Sequence, residues 1–271
     1  MTNVALDPLR LRHEGELLFE IDSGVGIVTF NRPEARNALT FAMYDGLAEI
    51  CSGATRKDDL NVLMIRGAGG KAFAAGTDIG LFRDFRTAED GLNYERKLVD
   101  VLTAVEACDV PTIALMSGAC TGGGAAIAAV CDLRLATEDM RFGFPIARTL
   151  GNCLSAAFLV RLSALLGAGR TKDILLTSRL ITAEEALAIG LVSEVLESEE
   201  SLLRRARELA HSMATHAPLT IQITKEMFRR ILAVQTEVDD DDLIALSYTS
   251  EDFREGVDAF LSKRPPLWKG R

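Results

Sequence analysis

Histidine is scarce: His13, His211 and His216 are the only three in the chain of 271 residues. No HExxH pair and no Cys/His cluster occurs, so the usual zinc sites are excluded and no metal is expected. Cysteine is also sparse. Cys51, Cys108, Cys120, Cys131 and Cys153 form an odd set without a CxxC pair, each in an apolar or small-residue setting. That pattern reads as buried thiols in a reducing, cytoplasmic environment rather than a disulfide framework. Long apolar runs are missing too. The longest, around Gly122 to Val130, is short and rich in Ala and Gly, well below the ~20 residues that cross a bilayer. The opening MTNVALDPLRLRHEGELLFE has no apolar core and carries Asp7 and Glu14, which argues against a secretory or transit segment. Positive charge is outnumbered: 30 Lys and Arg stand against 39 Asp and Glu, for a formal net charge of -9. Neither nucleic acid nor an anionic membrane is therefore an expected partner. An anionic ligand would have to be met locally, by helix N-termini or a few placed cations.

What is present is a large apolar content, 48% of residues, enough for one large core or two modest ones. Leu17–Asp22 and Gly24–Phe30 read as a hairpin around a Ser-Gly turn. Thr40 can cap a helix running to about Ala54. Asn61–Arg66, Thr112–Met116 and Cys131–Ala136 have the pattern of buried strands. Asp90–Ala107 has helical spacing, and an Ala-rich helix follows a Gly-rich loop after Met116. The first 145 residues thus alternate strand and helix, the signature of an α/β fold with a buried sheet. After Asn152 the pattern is nearly all helical. Leu154–Leu166 and Arg170–Leu176 read as helices, and Thr182-Ala-Glu-Glu185 resembles a capping box opening a helix that ends at Gly190. Leu191–Leu196 reads as a last short strand, and three or four amphipathic helices follow Ser198. The acidic run Asp239–Asp242 suits the first turn of a helix better than a metal site.

Two loops carry patterns that point to chemistry. In Lys71-Ala-Phe-Ala-Ala-Gly-Thr-Asp-Ile79, small residues allow a ligand to approach the backbone. The N–H groups of Thr77 and Asp78 are expected at a helix N-terminus, where donors are unpaired. In Ser117-Gly-Ala-Cys-Thr-Gly-Gly-Gly-Ala-Ala126, three consecutive glycines each cost about 1 kcal/mol of helix propensity against Ala. They suit a backbone that turns tightly and meets a ligand closely. One N–H from each loop could clamp a single carbonyl oxygen and stabilise an oxyanion. For either loop alone, a tight turn with close helix–strand packing is the favoured reading. A dinucleotide fingerprint is disfavoured, because Ile127 stands where GxGxxG/A wants a small residue.

Taken together, these segments resemble the crotonase (enoyl-CoA hydratase/isomerase) superfamily over nearly the whole chain. The matching stretches are Asn31-Arg-Pro-Glu-Ala-Arg-Asn-Ala-Leu39, Ala72 to Ile79, Pro111 through Gly124, Cys131-Asp132, Leu176 to Ala183, Ala186 through Val195 and Phe260-Leu-Ser-Lys-Arg264. The resemblance implies a spiral of ββα units over residues 1–200 and a C-terminal helical oligomerisation region over 201–271. It implies a homotrimer, or a hexamer of two stacked trimers. It implies a CoA thioester as substrate, with no cofactor beyond the CoA moiety. The oxyanion donors map onto the N–H groups of Thr77 and Gly123, beside Gly122. CoA is expected against Ala35, Arg36 and Ala38 and against Ala75, Gly76, Asp78 and Ile79. Phe260 and Lys263 match positions that approach CoA, often from a neighbouring subunit, and a solvated Lys on a terminal helix is nearly as good a reading of Lys263.

The chain departs from the family pattern where a hydratase keeps two glutamates. Those positions hold Ala126 and Ile146, and no Asp or Glu occurs between Arg141 and Lys172. Ordinary enoyl-CoA hydration and the usual isomerase chemistry both suffer, because neither side chain can move a proton. Asp84, two helical turns beyond Thr77, could reach the acyl pocket. Arg148, Thr149, Asn152 and Cys153 occupy a stretch where relatives place unusual catalytic groups, although an apolar setting makes a thiol inert. Asp78 reads as a helix cap and Asp132 as structural. The expected activity is that of a lyase or isomerase working on a CoA thioester through an enolate. The alternatives are a catalytically degenerate acyl-CoA-binding or oligomer-forming subunit, or an enzyme with residual hydratase or isomerase activity.

Overall fold

The computed structural model describes residues 15–55, 60–236 and 238–271; His13, Asp7 and Glu14 lie outside the described residues. The chain opens with β1 (Leu17–Asp22) and β2 (Val25–Phe30), an antiparallel pair in which Asp22 faces Val25. Ser23 and Gly24 supply the two positive φ angles, 52° and 78°, that a two-residue hairpin turn with matching twist requires. Helix α1 (Phe41–Gly53) follows, and the Thr40 hydroxyl accepts a bond from the Met43 amide as its N-cap.

The chain then repeats one unit three times. A long strand is followed by a short strand and a helix: β3 (Val62–Gly67), β4 (Ala72–Ala74) and α2 (Ala88–Glu106); β5 (Thr112–Met116), β6 (Ala119–Thr121) and α3 (Gly123–Val130); β7 (Leu133–Thr137), β8 (Arg141–Gly143) and α4 (Ile146–Thr149). Helices α5 (Ala156–Leu166) and α6 (Ala168–Thr177), the two-residue β9 (Ile181–Thr182), α7 (Ala183–Ala188) and β10 (Glu194–Leu196) come next. The long strand of each unit joins one sheet, in the order β1-β2-β3-β5-β7-β10, where the three-residue β10 forms the edge, and the short strand of each unit joins a second, β4-β6-β8-β9. Every β2-to-β10 neighbour in the first sheet is parallel. This is the expected spiral of ββα units.

Long strands such as VLMIRG open on an unbroken apolar run, Val62 to Ile65, because both faces are covered there. Leu63 and Ile65 point into the main core, while Val62 and Met64 point to the opposite face, as the two-residue strand period demands. That opposite face is closed by α8 (Glu199–Ala214), whose Leu202, Ala206 and Ala210 form one stripe at four-residue spacing. The expected boundary at residue 200 therefore falls inside a helix that belongs to the sheet's own core. The remaining helices are α9 (Pro218–Gln235), α10 (Asp241–Thr249) and α11 (Glu251–Leu261). Helix α9 buries no side chain, and Leu219, Ile223, Met227, Phe228, Ile231 and Val234 are all exposed on it.

Two local expectations are refined. Thr182 caps α7 by accepting from the Glu185 amide, but the Glu185 carboxylate turns to the Arg179 guanidinium, with both bonds at 2.8 Å, rather than closing a capping box. The acidic run serves α10: Asp241 and Asp242 lie in its first turn, and Asp240 accepts from the Ala156 amide. Among the described residues no helix is long and apolar enough to cross a membrane.

Candidate active site

The site begins with a buried pin. Asn37 is fully buried, and its amide donates to the Ala72 carbonyl at 2.7 Å and the Ala68 carbonyl at 3.0 Å. Its Oδ1 accepts from the Arg32 amide at 3.0 Å. To make these bonds Arg36 and Asn37 adopt left-handed backbone angles, φ 51° and 56°, which cost non-glycine residues of order 1 kcal/mol or more each. The pin holds the segment from Ala35 to Leu39 against the first loop. The Arg36 carbonyl accepts from the Ala75 amide (3.0 Å), the Gly76 carbonyl from the Leu39 amide (2.8 Å) and the Leu39 carbonyl from the Asp78 amide (2.9 Å). Ala35, Arg36 and Ala38 thus lie beside Ala75, Gly76, Asp78 and Ile79 along one strip. Arg32 fastens it from below, donating to the Ala38 carbonyl at 2.7 Å and to Asp78 at 3.0 Å.

Those bonds correct two expectations. The Asp78 amide is not a free donor, because Leu39 takes it. The residues after it form a 3-10 segment (Ile79–Asp84) rather than an α-helix, capped by the Asp78 carboxylate accepting from the Gly80 amide at 3.0 Å. Asp84 is exposed at the segment's end. The cap reading of Asp78 matches this geometry. Asp132 ties strand to strand, accepting from the Thr112 amide (2.7 Å) and hydroxyl (2.9 Å), and also pairs with Lys225.

The second loop meets the first backbone to backbone. Gly76 has φ 103° and Gly122 φ 52°. A β-carbon on Gly122 would stand 3.4 Å from the Gly76 α-carbon. Each of the three glycines answers a different demand. Gly122 takes a left-handed turn. Gly123 lies under the Tyr44 hydroxyl, and Gly124 packs on the Ala74 carbonyl, 2.4 Å from where its β-carbon would be. Close packing therefore accounts for two of the three. Among the described residues neither the Thr77 nor the Gly123 amide has a hydrogen-bond acceptor. For Gly123 this follows from its place as the first residue of α3.

Behind the two loops stands a polar cluster that the sequence reading passed over. The Thr77 hydroxyl is bonded to two tyrosines, Tyr44 at 2.8 Å and Tyr94 at 2.7 Å. All three are buried, and burial raises both phenols above their ordinary range. Next to Tyr94 on α2, Glu95 is buried as well. Its carboxyl accepts from the Tyr248 hydroxyl at 2.7 Å and from the Ser155 amide at 3.2 Å. Desolvation pushes it up to about 7, against the pull of those two bonds. Tyr248 in turn accepts from the Asn152 amide at 3.2 Å, and its ring lies on Gly91, where a β-carbon would be 2.4 Å away. A signal was available: Glu95 falls three residues after Leu92 and three before Leu98, on the apolar face of α2.

Ala126 is buried on α3 and Ile146 is half-buried at the start of α4. Arg148 is exposed, and the Thr149 hydroxyl donates to the Pro145 carbonyl at 2.9 Å. Burial pushes the Cys153 thiol up to about 11, which disfavours the thiolate a nucleophile needs. Phe260 and Lys263 are exposed at and just beyond the end of α11, the helix that packs on the Ile79–Asp84 segment.

The spiral of ββα units and the paired glycine loops define a crotonase-type α/β protein. Residues 20–271 match the enoyl-CoA hydratase/isomerase family, and the chain belongs to it. It is 34% identical to 2,3-dehydroadipyl-CoA hydratase of Escherichia coli, over 94% of this chain and 99% of that one. The solved enoyl-CoA hydratase/carnithine racemase of Magnetospirillum magneticum is 31% identical with a TM-score of 0.78, covering 97% of this chain and 98% of its own. A methylmalonyl-CoA decarboxylase complexed with 2S-carboxypropyl CoA is 27% identical with a TM-score of 0.85, covering 95% of this chain and 99% of its own.

Proposed function

We propose that the chain is an enzyme acting on a coenzyme A thioester, whose oxygen is held by the N–H groups of Thr77 and Gly123 while an enolate forms. The observation that carries this reading is the backbone contact of Gly76 with Gly122. It puts the next amide of each loop on adjoining turns, neither with an acceptor among the described residues. Two such donors stabilise charge that develops on a thioester oxygen far more than they stabilise the neutral carbonyl. The CoA moiety lies along the strip formed by Ala35, Arg36, Ala38, Ala75, Gly76, Asp78 and Ile79. Lys263 and Phe260 approach it from a neighbouring subunit of a homotrimer, or of a hexamer built from two.

The reaction fitting best is one that reaches the enolate without a carboxylate at position 126 or 146. Loss of carbon dioxide from a carboxyacyl thioester does so. The carbon–carbon bond breaks, its electron pair passes to the thioester oxygen, and no base has to remove a proton first. The likeness to a decarboxylase complexed with 2S-carboxypropyl CoA supports this choice. Carbon–carbon cleavage and isomerisation with a displaced acid belong to the same class.

The test is to incubate the protein with saturated, enoyl and carboxyacyl CoA thioesters. Binding and assembly are followed by native mass spectrometry, and products by chromatography. The expected result is thioester-bound trimers or hexamers and turnover of the carboxyacyl member. Binding without turnover of any member would favour a degenerate acyl-CoA-binding subunit. Absence of binding to every thioester would overturn the reading.

A further inference from the structure

We propose that Glu95 is the group that exchanges a proton with the α-carbon of the thioester bound between the two glycine loops. This rests on the CoA-thioester reading and supplies the proton transfer that reading leaves without a residue.

The placement comes first. Helices α2 and α5 both pack against α3, the helix that begins at Gly123 and carries Ala126. Glu95 belongs to α2, and it accepts from the amide of Ser155, the residue that opens α5. The residue before it, Tyr94, is bonded through its hydroxyl to Thr77. Glu95 is thus tied to elements bearing both proposed amide donors.

The company it keeps is unusual for a structural acid. Glu95 is the only buried acidic residue among the described residues, and no Lys or Arg is paired with it there. From α10 and the residues before it come the neutral Tyr248 hydroxyl and the like charge of Asp240. From the α5 side come the Ser155 amide and the half-buried thiol of Cys153, and on its own helix stands Tyr94. A carboxyl without a cation is expensive to bury. One further polar atom in the same place, the buried Asn152 Oδ1, has no partner among the described residues. A packed interior rarely leaves such an atom beside an acid with no cation unless the place serves something other than packing.

The chemistry balances. In the donating direction the Glu95 O–H bond breaks and the enolate's electron pair forms the new C–H bond. The thioester carbonyl is restored and a carboxylate is left, which solvent reprotonates. In the reverse direction the carboxylate removes the α-proton of a saturated thioester, and the C–H pair passes to the oxygen held by the two amides. A group held up to about 7 by burial is present in both forms near neutral pH, as either direction requires.

The experiment uses the full chain as wild type, Glu95→Gln and Tyr248→Phe, with propionyl-CoA in deuterium oxide. Deuterium entry at the α-carbon is read by mass spectrometry across pH, and binding by calorimetry. Wild type is expected to exchange with a midpoint near neutrality. Glu95→Gln is expected to lose roughly 100-fold or more of that rate with little change in Kd. Tyr248→Phe removes a bond that favours the ionised carboxylate, so its midpoint should move to higher pH. A merely structural role for Glu95 would not produce that movement. Undiminished exchange in Glu95→Gln, or an unmoved midpoint in Tyr248→Phe, overturns the proposal. If Glu95→Gln fails to fold, the Tyr248→Phe midpoint decides. Propionyl-CoA that binds wild type without exchange removes the role of Glu95 and leaves the thioester reading standing. Propionyl-CoA that does not bind where another thioester does removes the role of Glu95, and absence of binding to every thioester removes both.

Discussion

A β-carbon on Gly123 would stand 1.9 Å from the Tyr44 hydroxyl, and that hydroxyl is also 2.8 Å from the Thr77 hydroxyl. One buried phenol thus connects the residues that would provide both amide donors. Gly123→Ala should therefore destabilise the protein by about 1–3 kcal/mol through overpacking. Tyr44→Phe alone should cost about 1 kcal/mol for the lost hydrogen bond. In the Tyr44→Phe background, Gly123→Ala should cost measurably less than it does alone, because the clashing oxygen is gone. Denaturant melts of the four proteins in the cycle measure the coupling; strictly additive costs would contradict the geometry.

Glu95 should leave a signature in stability as well as in rate. Its ordinary value is 4.5 and burial raises it to about 7. Below pH 4.5 it is protonated both folded and unfolded, so burial carries no ionisation cost. As pH rises through that window, the unfolded chain releases the proton and the folded chain keeps it, so stability falls. The full loss, about 3 kcal/mol, is reached once pH passes the folded value. Glu95→Gln cannot ionise and should escape this loss. Relative to wild type, it should gain stability between about pH 5 and pH 8, read from paired denaturant melts. A constant difference between the two proteins would be the contrary result.

Helix α9 exposes an apolar stripe along its full length and buries nothing. If this face is where subunits meet, Phe228→Glu should shift native mass spectra toward single protomers. Far-ultraviolet circular dichroism should hardly change, because Phe228 is exposed. Persistence of the full assembly in this variant would direct attention to another face.

The elements whose causes are local were legible in the sequence. Thr40 announces α1 because a hydroxyl three residues before Met43 is all a cap requires. Ser23-Gly24 announces its hairpin because two positive φ angles suffice. Long strands such as Thr112–Met116 declare themselves by continuous apolarity. The second sheet was largely hidden, because β6 and β8 have three residues each and β9 has two, too few for a period to register. The 3-10 winding that ends at Asp84 was hidden, because the choice between α and 3-10 winding after Asp78 depends on the Leu39 and Gly80 bonds. Glu95 was missed because a glutamate in a helix is normally solvated, and only the arrival of Tyr248 from α10, 153 residues away, buries it. The resemblance names Ala35 to Ala38 and Ala75 to Ile79 as two stretches expected against CoA. Their fastening by Asn37 was hidden, since a left-handed asparagine looks like any loop residue.

Arg36 and Asn37 keep their distorted backbone because the buried Asn37 amide has carbonyls to satisfy. The distortion is met once, when the chain folds, and is not renewed each time something docks. A molecule settling along this stretch would find a rigid groove edge instead of a loop to be ordered, and would forfeit little affinity to conformational freezing. Replacing Asn37 would consequently loosen recognition at a distance from any atom that touches the guest.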